Sequence, residues 1–187
     1  MTLTKNPIIL MLTLAMWLYT NAIFAHASLD LSKGTMTAGG HLVAPYSYDK
    51  YNFHKFDFRF NPQFGYFVID NLEISAKLIL GTGLYWSQVR PLASGLILWG
   101  TGIETRYYFN TGSIIYPYIG AELSILIPGG VFDGSNWNIA FPAGLLLALN
   151  NHVGLNVGIS TMVELSLFGD FERVVVVPGY FGVGGFF

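Results

Sequence analysis

Three histidines follow the hydrophobic N-terminal segment, and their imidazoles are the side chains best suited to acid–base chemistry near neutral pH: His41, His54 and His152. Catalysis by a histidine also needs a nucleophile and an orienting group within reach. His54 lies next to a run rich in phenylalanine. A hydrolase that acts on lipid would need its histidine beside such an apolar surface, but no His-x-Ser spacing follows His54. We therefore predict no catalytic residues and keep a lipid A-modifying hydrolase as the alternative.

The other two histidines have simpler interpretations, and no cofactor motif is present. His152 lies in a short Asn-rich turn, whereas His41 shares a strand face with Thr35 and Thr37, which predicts a hydrogen-bonded interior histidine. Metal-ligand spacings, phosphate loops and nucleotide motifs are absent, and the chain has no cysteine. With a net charge of −2 and no basic tract, nothing indicates nucleic-acid binding. The sequence predicts no cofactor.

Ion pairing is the chemistry that the spacing does support, because charged side chains alternate with phenylalanine in the run Lys55-Phe56-Asp57-Phe58-Arg59-Phe60-Asn61. On a β-strand such alternation places the rings on one face and the ions on the other. A soluble sheet buries its apolar face and exposes its polar one. A membrane barrel does the reverse, with apolar side chains facing lipid and polar ones facing its interior.

Composition favours the membrane barrel. Of the 187 residues 52% are hydrophobic, 16% are aromatic and only 11% are charged, whereas soluble domains are about 25% charged. Beyond the first 25 residues there is no apolar run of about 18 residues that could cross a bilayer as a helix. High hydropathy without such runs is typical of a transmembrane barrel.

The N-terminus has the pattern of a cleavable signal peptide. Lys5 provides the positive charge, residues 7–24 are largely apolar, and Ala25-His26-Ala27 fits the small-x-small cleavage rule. We predict a signal peptide at residues 1–27 and one barrel domain at residues 28–187.

Period-2 patterning and turn residues predict eight strands, at residues 34–44, 53–68, 72–83, 95–109, 114–127, 137–149, 153–168 and 174–187. Tight turns at 69–71, 110–113 and 150–152 alternate with longer segments at 45–52, 84–94 and 128–136. Outer-membrane barrels have short periplasmic turns and longer outer loops. The predicted fold is an all-β, eight-stranded antiparallel up-and-down transmembrane barrel with both termini in the periplasm.

The polar strand faces predict an ionic network inside this barrel, with four bases and five acids: Lys55, Asp57, Arg59, Glu73, Lys77, Glu104, Arg106, Glu122 and Glu164. Buried charges are tolerated when they are paired and hydrogen-bonded. An eight-stranded barrel is just wide enough for its side chains to fill it. We expect a packed interior, in which Lys77 and Glu104 lie at similar heights on adjacent strands and pair.

Aromatic residues near the strand ends predict two girdles at the membrane interfaces. The set at the turn end is Tyr66, Phe67, Tyr107, Phe109, Tyr116, Tyr118 and Phe187, and the set at the loop end is Tyr46, Tyr48, Tyr51, Phe53, Trp86, Trp99, Phe132, Trp137 and Phe168.

Several short motifs resemble the small eight-stranded outer-membrane barrels of the OmpA/OmpX-like superfamily, in particular the generic outer membrane protein β-barrel domain family. They are residues 61–72 (NPQFGYFVIDNL), Arg106-Tyr107-Tyr108-Phe109 and Tyr116-Pro117-Tyr118-Ile119-Gly120. The closing strand, with Phe181, Val183 and the terminal Phe187, is similar to that family's assembly signal, although Gly179 and Gly185 depart from it. The resemblance implies partners in the barrel-insertion machinery and periplasmic chaperones, and no particular activity.

Three functions remain open at this stage. We expect a monomeric structural protein of a Gram-negative outer membrane, in contact with lipid and lipopolysaccharide. A surface adhesin or ligand-binding barrel is the first alternative, acting through loops 45–52 and 84–94 with contacts at Tyr46, Tyr48, Tyr51, Trp86 and Arg90. A narrow pore for small solutes is the second.

Overall fold

The computed structural model describes residues 27–48, 53–87, 94–129, 135–166 and 171–187. Nine strands lie within these residues: β1 (Met36–Val43), β2 (Tyr46–Tyr48), β3 (Phe53–Ile69), β4 (Leu72–Ser87), β5 (Ser94–Tyr108), β6 (Ile115–Pro128), β7 (Asn136–Ala148), β8 (Val153–Ser166) and β9 (Phe171–Phe186). Among the described residues, no helix is both long enough and apolar enough to cross a membrane.

The strands form one closed antiparallel barrel. From β3 to β9 each strand pairs with the next, and β1 closes the ring by pairing with both β9 and β3. β1 and β2 both lie along β3 and occupy one position in the ring. The break between them falls at Ala44 and Pro45, because proline has no N–H to continue the ladder. The predicted eight-stranded antiparallel barrel is confirmed.

The tight turns form where the sequence predicted them, at one end that we name the turn end. Asn71 adopts φ 66° between β3 and β4, and Gly112 adopts φ 67° between β5 and β6. Between β7 and β8, the Asn150 side chain accepts hydrogen bonds from the backbone N–H groups of His152 and Val153, both at 2.8 Å. The opposite end is the loop end, where residues 49–52, 88–93, 130–134 and 167–170 lie outside the described residues.

The outer face of the barrel is apolar, and its charged side chains point inward. Large hydrophobic side chains point outward along the described strands, such as Phe64 at 55% exposure and Ile103 at 58%. Acidic residues point inward, with Glu73 at 2% exposure and Glu104 at 1%. Since successive strand residues face opposite sides, a single alternating pattern accounts for both surfaces. Such an inversion is typical of a barrel whose surroundings are lipid.

Part of the predicted girdle at the turn end was wrong. Phe67, Tyr116 and Tyr118 are buried in the lumen together with Tyr108. Strand parity decides their direction, because Tyr116 and Tyr118 share the inward face of β6 with Ser124. The remaining predicted residues of this set point outward, at 41–71% exposure: Tyr66, Tyr107, Phe109 and Phe187.

Candidate functional site: the ionic lumen

A three-strand ion cluster crosses the middle of the lumen. Lys77 on β4 donates to Glu104 on β5 at 3.0 Å and also to Glu122 on β6. The strand register places Glu104 directly opposite Glu122, an arrangement of like charges that repels unless a cation lies between them. The Lys77 ammonium supplies that cation. Lys77 and Glu104 were predicted to pair because they lie at similar heights on adjacent strands, and the structure confirms this pair.

Arg106 extends this cluster toward the turn end. Its Nε donates to Glu104 at 2.6 Å, and its guanidinium lies 5.3 Å from the centre of the Tyr118 ring. One of its terminal nitrogens is 3.4 Å from the Gln63 carboxamide oxygen and 3.5 Å from a ring nitrogen of His41. Arg106 therefore ties the ionic cluster to the aromatic side chains below it.

Glu73 is held by neutral donors. The Tyr108 hydroxyl donates to one of its carboxylate oxygens at 2.6 Å, and the Thr37 hydroxyl donates to the other. Glu73, Tyr108 and Thr37 are all buried. These two hydrogen bonds link β1, β4 and β5 across the lumen.

The remaining residues of the predicted network lie toward the loop end. Asp57 and Arg59, two residues apart on β3, are buried and form a salt bridge of 2.6 Å. Glu164 is buried on β8, opposite Asn138 of β7 and Arg173 of β9 in the register. For Lys55 the structure describes only the backbone, which pairs with Ser47 and Tyr85.

A cavity of about 50 Å³ lies among these groups. Its polar wall includes Arg59, Asn61, Lys77, Glu104 and Glu122, and its apolar wall includes Ile79, Met162 and Val177. Below it, next to His41 and Arg106, lies a smaller pocket of about 20 Å³.

The turn end is closed by a feature that the sequence analysis missed, an N-terminal strap formed by residues 27–33. Its side chains alternate: Ala27, Leu29 and Leu31 are buried at 6–7% exposure, whereas residues 28, 30 and 32 are exposed. The buried ones pack in one apolar cluster with Phe67, Tyr108, Tyr116, Tyr118, Leu146, Ala148, Tyr180 and Phe186. The alternation is visible in the sequence, but nothing in it indicates that this segment turns into the lumen.

Both ends of the strap are anchored. The Ser28 N–H lies 3.4 Å from the Asn151 side-chain oxygen in the β7–β8 turn. At the other end, the Asn71 N–H donates to the Leu31 carbonyl at 2.8 Å in the β3–β4 turn. Four strands separate these two turns in either direction around the ring, so the strap crosses the mouth along a diameter.

One further hydrogen bond fixes the end of the strap near β3. The Lys33 N–H donates to the Asp70 carboxylate at 2.8 Å. Within the strap, donation from the Ser32 hydroxyl and backbone N–H lowers the pKa of the exposed Asp30 carboxyl below its ordinary value.

The histidines form no catalytic constellation in the described parts of the chain. His41 is buried and packs edge-on against Tyr180, with 5.4 Å between ring centres. His152 lies in its turn with Nδ1 3.1 Å from the Phe186 carbonyl oxygen. The side chain of His54 lies outside the described residues, and within them no group of three or more metal-ligating side chains comes together.

For the predicted loop contacts the structure describes at most the backbone. Tyr51 and Arg90 are outside the described residues, and for Tyr46, Tyr48 and Trp86 only the backbone is described, in β2 and β4. The residues of the predicted assembly signal point outward: Phe181 and Val183 of β9 are 46% and 47% exposed, and Phe187, directly after β9, is 71% exposed. The Phe187 backbone exchanges two hydrogen bonds with Met36, at 2.9 and 3.0 Å.

Solved structures resemble this fold. Neisserial surface protein A matches with 19% identity and a TM-score of 0.57, over 82% of this chain and 96% of that one. The N-terminal barrel domain of Pseudomonas aeruginosa OprF matches with 14% identity and a TM-score of 0.53, over 83% and 98% of the two chains. The outer membrane protein OprG of Pseudomonas aeruginosa matches with 15% identity and a TM-score of 0.55, over 86% and 99%.

No protein-family model and no curated protein matches the sequence. At identities of 14–19% the likeness shows the fold alone. The predicted resemblance to small eight-stranded outer-membrane barrels is confirmed at that level.

Proposed function

We propose that this chain is an integral outer-membrane barrel with a closed lumen, which serves a structural role in the cell envelope and carries no catalysis. Its outward face would contact lipid and lipopolysaccharide, and the ion pairs on its inward face would hold the strands together across the lumen. Residues 1–27 would direct export and be removed, so the mature strap would consist of residues 28–33, which lack Ala27 but keep the buried Leu29 and Leu31. The turn end and both termini would lie in the periplasm. Assembly would use periplasmic chaperones and the barrel-insertion machinery, and the product would be a monomer.

The observation that carries this proposal is that the lumen is filled at two successive levels. The cluster of Lys77, Glu104 and Arg106 crosses its middle, and the strap with its apolar cluster fills the turn end. A solute passing through would have to separate buried ion pairs and then displace packed leucine and aromatic side chains. Both steps are costly, which favours a structural barrel over a pore.

Single-channel conductance tests the closed lumen directly. We expect the refolded protein that begins at Ser28, inserted in a planar bilayer, to show no unitary conductance steps. Insertion is verified on the same preparation by protease protection and by the shift in gel mobility between heated and unheated samples. Reproducible steps from correctly folded protein would contradict the proposal and favour the narrow pore.

Deletion of the gene tests the structural role. We expect greater sensitivity to detergents and bulky antibiotics. The full chain should restore the barrier, and so should a chain in which residues 49–52 and 88–93, between the strands of the predicted loops, are replaced with short Gly/Ser linkers. If the replaced chain assembles but does not restore the barrier, the loops carry the function and the adhesin or ligand-binding alternative is favoured. Altered acylation of lipid A on expression would instead favour the hydrolase.

A further inference from the structure

We propose that the loop half of the lumen opens sideways between β9 and the junction of β1 with β2, and that this opening admits the end of an acyl chain from a lipid of the outer leaflet. We name the opening the seam; its edges are residues 44–48 on one side and residues 171–179 on the other. The inference rests on the membrane-embedded barrel of the proposed function and adds a binding site to it. The route ends at the ion cluster, so the lumen stays closed to solutes that would cross the membrane.

The seam is a stretch of the ring without backbone pairing. The ladder between β1 and β9 ends where Val43 lies opposite Tyr180, although β9 continues from there to Phe171. Beyond Val43, β2 pairs with β3 alone among the described residues. The side of β9 that faces β2 therefore has no ladder partner within the described part of the chain.

The sequence keeps the seam unpaired from both sides. Pro45 lies on one edge and Pro178 on the other, and proline has no N–H to donate to a ladder. The register of β9 against β8 also shifts at this point, which leaves Pro178 and Gly179 outside the ladder, both of them exposed. Prolines in sheets are confined to edges and bulges, so the gap in pairing is a property of these residues.

The outer side of the seam is apolar. Val174 and Val176 of β9 point outward at 55% and 60% exposure, and Leu42 of β1 points outward at 44%. These side chains belong to the surface that the proposed function places against lipid. Acyl chains are therefore the molecules nearest to the seam.

The inner side of the seam opens on an apolar chamber that lies on the loop side of the ion cluster. Two buried clusters form its walls, Ile79, Leu98 and Leu126 on β4–β6 and Ala140, Met162 and Val175 on β7–β9. The cavity of about 50 Å³ lies between these walls, and Val43, Val177 and Tyr180 also line it. Because Val43 and Tyr180 form the last pair of the β1–β9 ladder, the cavity reaches the seam from inside.

Size and polarity select the end of an acyl chain as the ligand. A drug-sized molecule needs a pocket of about 300–1,000 Å³, so a cavity of about 50 Å³ takes only the tip of a lipid. A charged headgroup would have to separate the buried pairs that Lys77 and Arg106 make with Glu104, and it stays outside. The terminal methylene and methyl groups would supply the van der Waals contacts that an empty apolar cavity lacks.

Magnetic resonance of the refolded protein in phosphatidylcholine nanodiscs tests the site with the lipid as the probe. We expect cross-relaxation peaks between acyl-chain protons and the methyl groups of Met162 and Val177, although both side chains are buried inside the barrel. Ile103, 58% exposed on the outer face, should show such peaks in any case, and Ala148, 1% exposed in the cluster under the strap, should show none. Lipid with deuterated acyl chains should remove every peak.

Two results of this experiment would overturn the inference. The first is peaks at Ile103 with none at Met162 and Val177, which would mean that acyl chains stay outside the barrel. The second is peaks at Met162 and Val177 that appear only after a free fatty acid is added, which would exclude the lipid as the ligand.

A variant at the seam tests the route. Val43 is half-buried and lines the cavity at the end of the ladder, so Val43→Trp should block the seam and abolish the lipid peaks of Met162 and Val177. Leu42→Trp is the matched control, because the neighbouring side chain points to lipid at 44% exposure, and it should leave those peaks in place.

The shift in gel mobility between heated and unheated samples verifies that both variants are folded. Lipid peaks that persist in folded Val43→Trp protein would overturn the seam as the entrance. Failure of this inference is distinguishable from failure of the proposed function: a non-conducting barrel without inner lipid peaks overturns only the acyl-chain site, whereas conductance steps overturn the closed lumen.

Discussion

At the scale of single residues, Lys77 is the central member of the ion cluster in the lumen. Its ammonium is the cation between Glu104 and Glu122, which face each other on neighbouring strands. Removing one member of a buried ion cluster costs more than the cluster contributes, because the remaining charges lose their compensation.

Lys77→Met should therefore destabilise the refolded barrel by about 3–5 kcal/mol. Adding Glu122→Gln should recover part of the loss, since Glu104 retains Arg106 at 2.6 Å. Urea unfolding in detergent, followed by tryptophan fluorescence, measures both changes. Lys33→Met, at an exposed lysine of the strap, is the control and should stay within about 0.5 kcal/mol of the wild type. Equal effects at Lys33 and Lys77 would contradict a special role for the lumen.

The sequence predicted part of this arrangement. Period 2 assigned Lys77 and Glu104 to inward faces, and hairpin spacing put them at similar heights, because both depend only on local backbone geometry. It did not indicate that Glu73 is held by Tyr108 and Thr37. Those contacts cross strands that are distant in sequence, and the reach of each side chain decides them.

At the scale of elements, the turns were predictable from local chemistry. Asn71 has φ 66°, which asparagine and glycine tolerate and β-branched residues do not. We expect Asn71→Gly to leave stability nearly unchanged and Asn71→Val to cost about 1–2 kcal/mol. Both retain the backbone N–H that anchors Leu31. Urea midpoints of the two variants check this, and a similar loss in both would mean that the side chain of Asn71, not its backbone conformation, stabilises the turn.

The strands were also predictable, but the strap was not. Predicted strands at 72–83 and 153–168 correspond to Leu72–Ser87 and Val153–Ser166, since alternation is a property of each strand alone. Predicted strand 34–44 is found as Met36–Val43, with Pro45 separating it from β2. The strap pairs with no strand, and its apolar residues gain burial only when the barrel has closed around them.

If the strap seals the turn end, the double substitution Leu29→Ser and Leu31→Ser should open the apolar cluster to water. The chain has no native cysteine, so Ala148→Cys, at a side chain 1% exposed in this cluster, reports access to a small thiol reagent. We expect slow labelling with the native strap and at least tenfold faster labelling with the double substitution. All variants are refolded from chains that begin at residue 28, so they differ only at the substituted residues.

The exposed positions of the strap supply the control for this experiment. Ser28→Ala with Ser32→Ala changes the same segment on its outer face and should leave labelling slow. Fast labelling of the Ala148→Cys variant behind the native strap would show that the strap is no seal.

At the scale of the whole molecule, the inverted surface is what distinguishes a membrane barrel from a soluble one. Ile103 is 58% exposed at a central position of β5, and Ile69 is 54% exposed at the turn end of β3. In water the two positions are equivalent, because a lysine at either would be solvated. In a bilayer they differ, because the cost of a charge on the lipid face falls from the midplane toward the interface.

Ile103→Lys should therefore lower the stability of the barrel in lipid vesicles by about 2–4 kcal/mol, whereas Ile69→Lys should lower it by about 0–1 kcal/mol. Reversible urea unfolding in the same vesicles measures both, and Ile103→Ala separates the effect of charge from that of lost contacts. The gap between the two lysine variants reports depth in lipid and does not depend on any ligand or partner. Equal, small effects would mean that the apolar exterior faces something other than a bilayer, and the membrane assignment would have to be withdrawn.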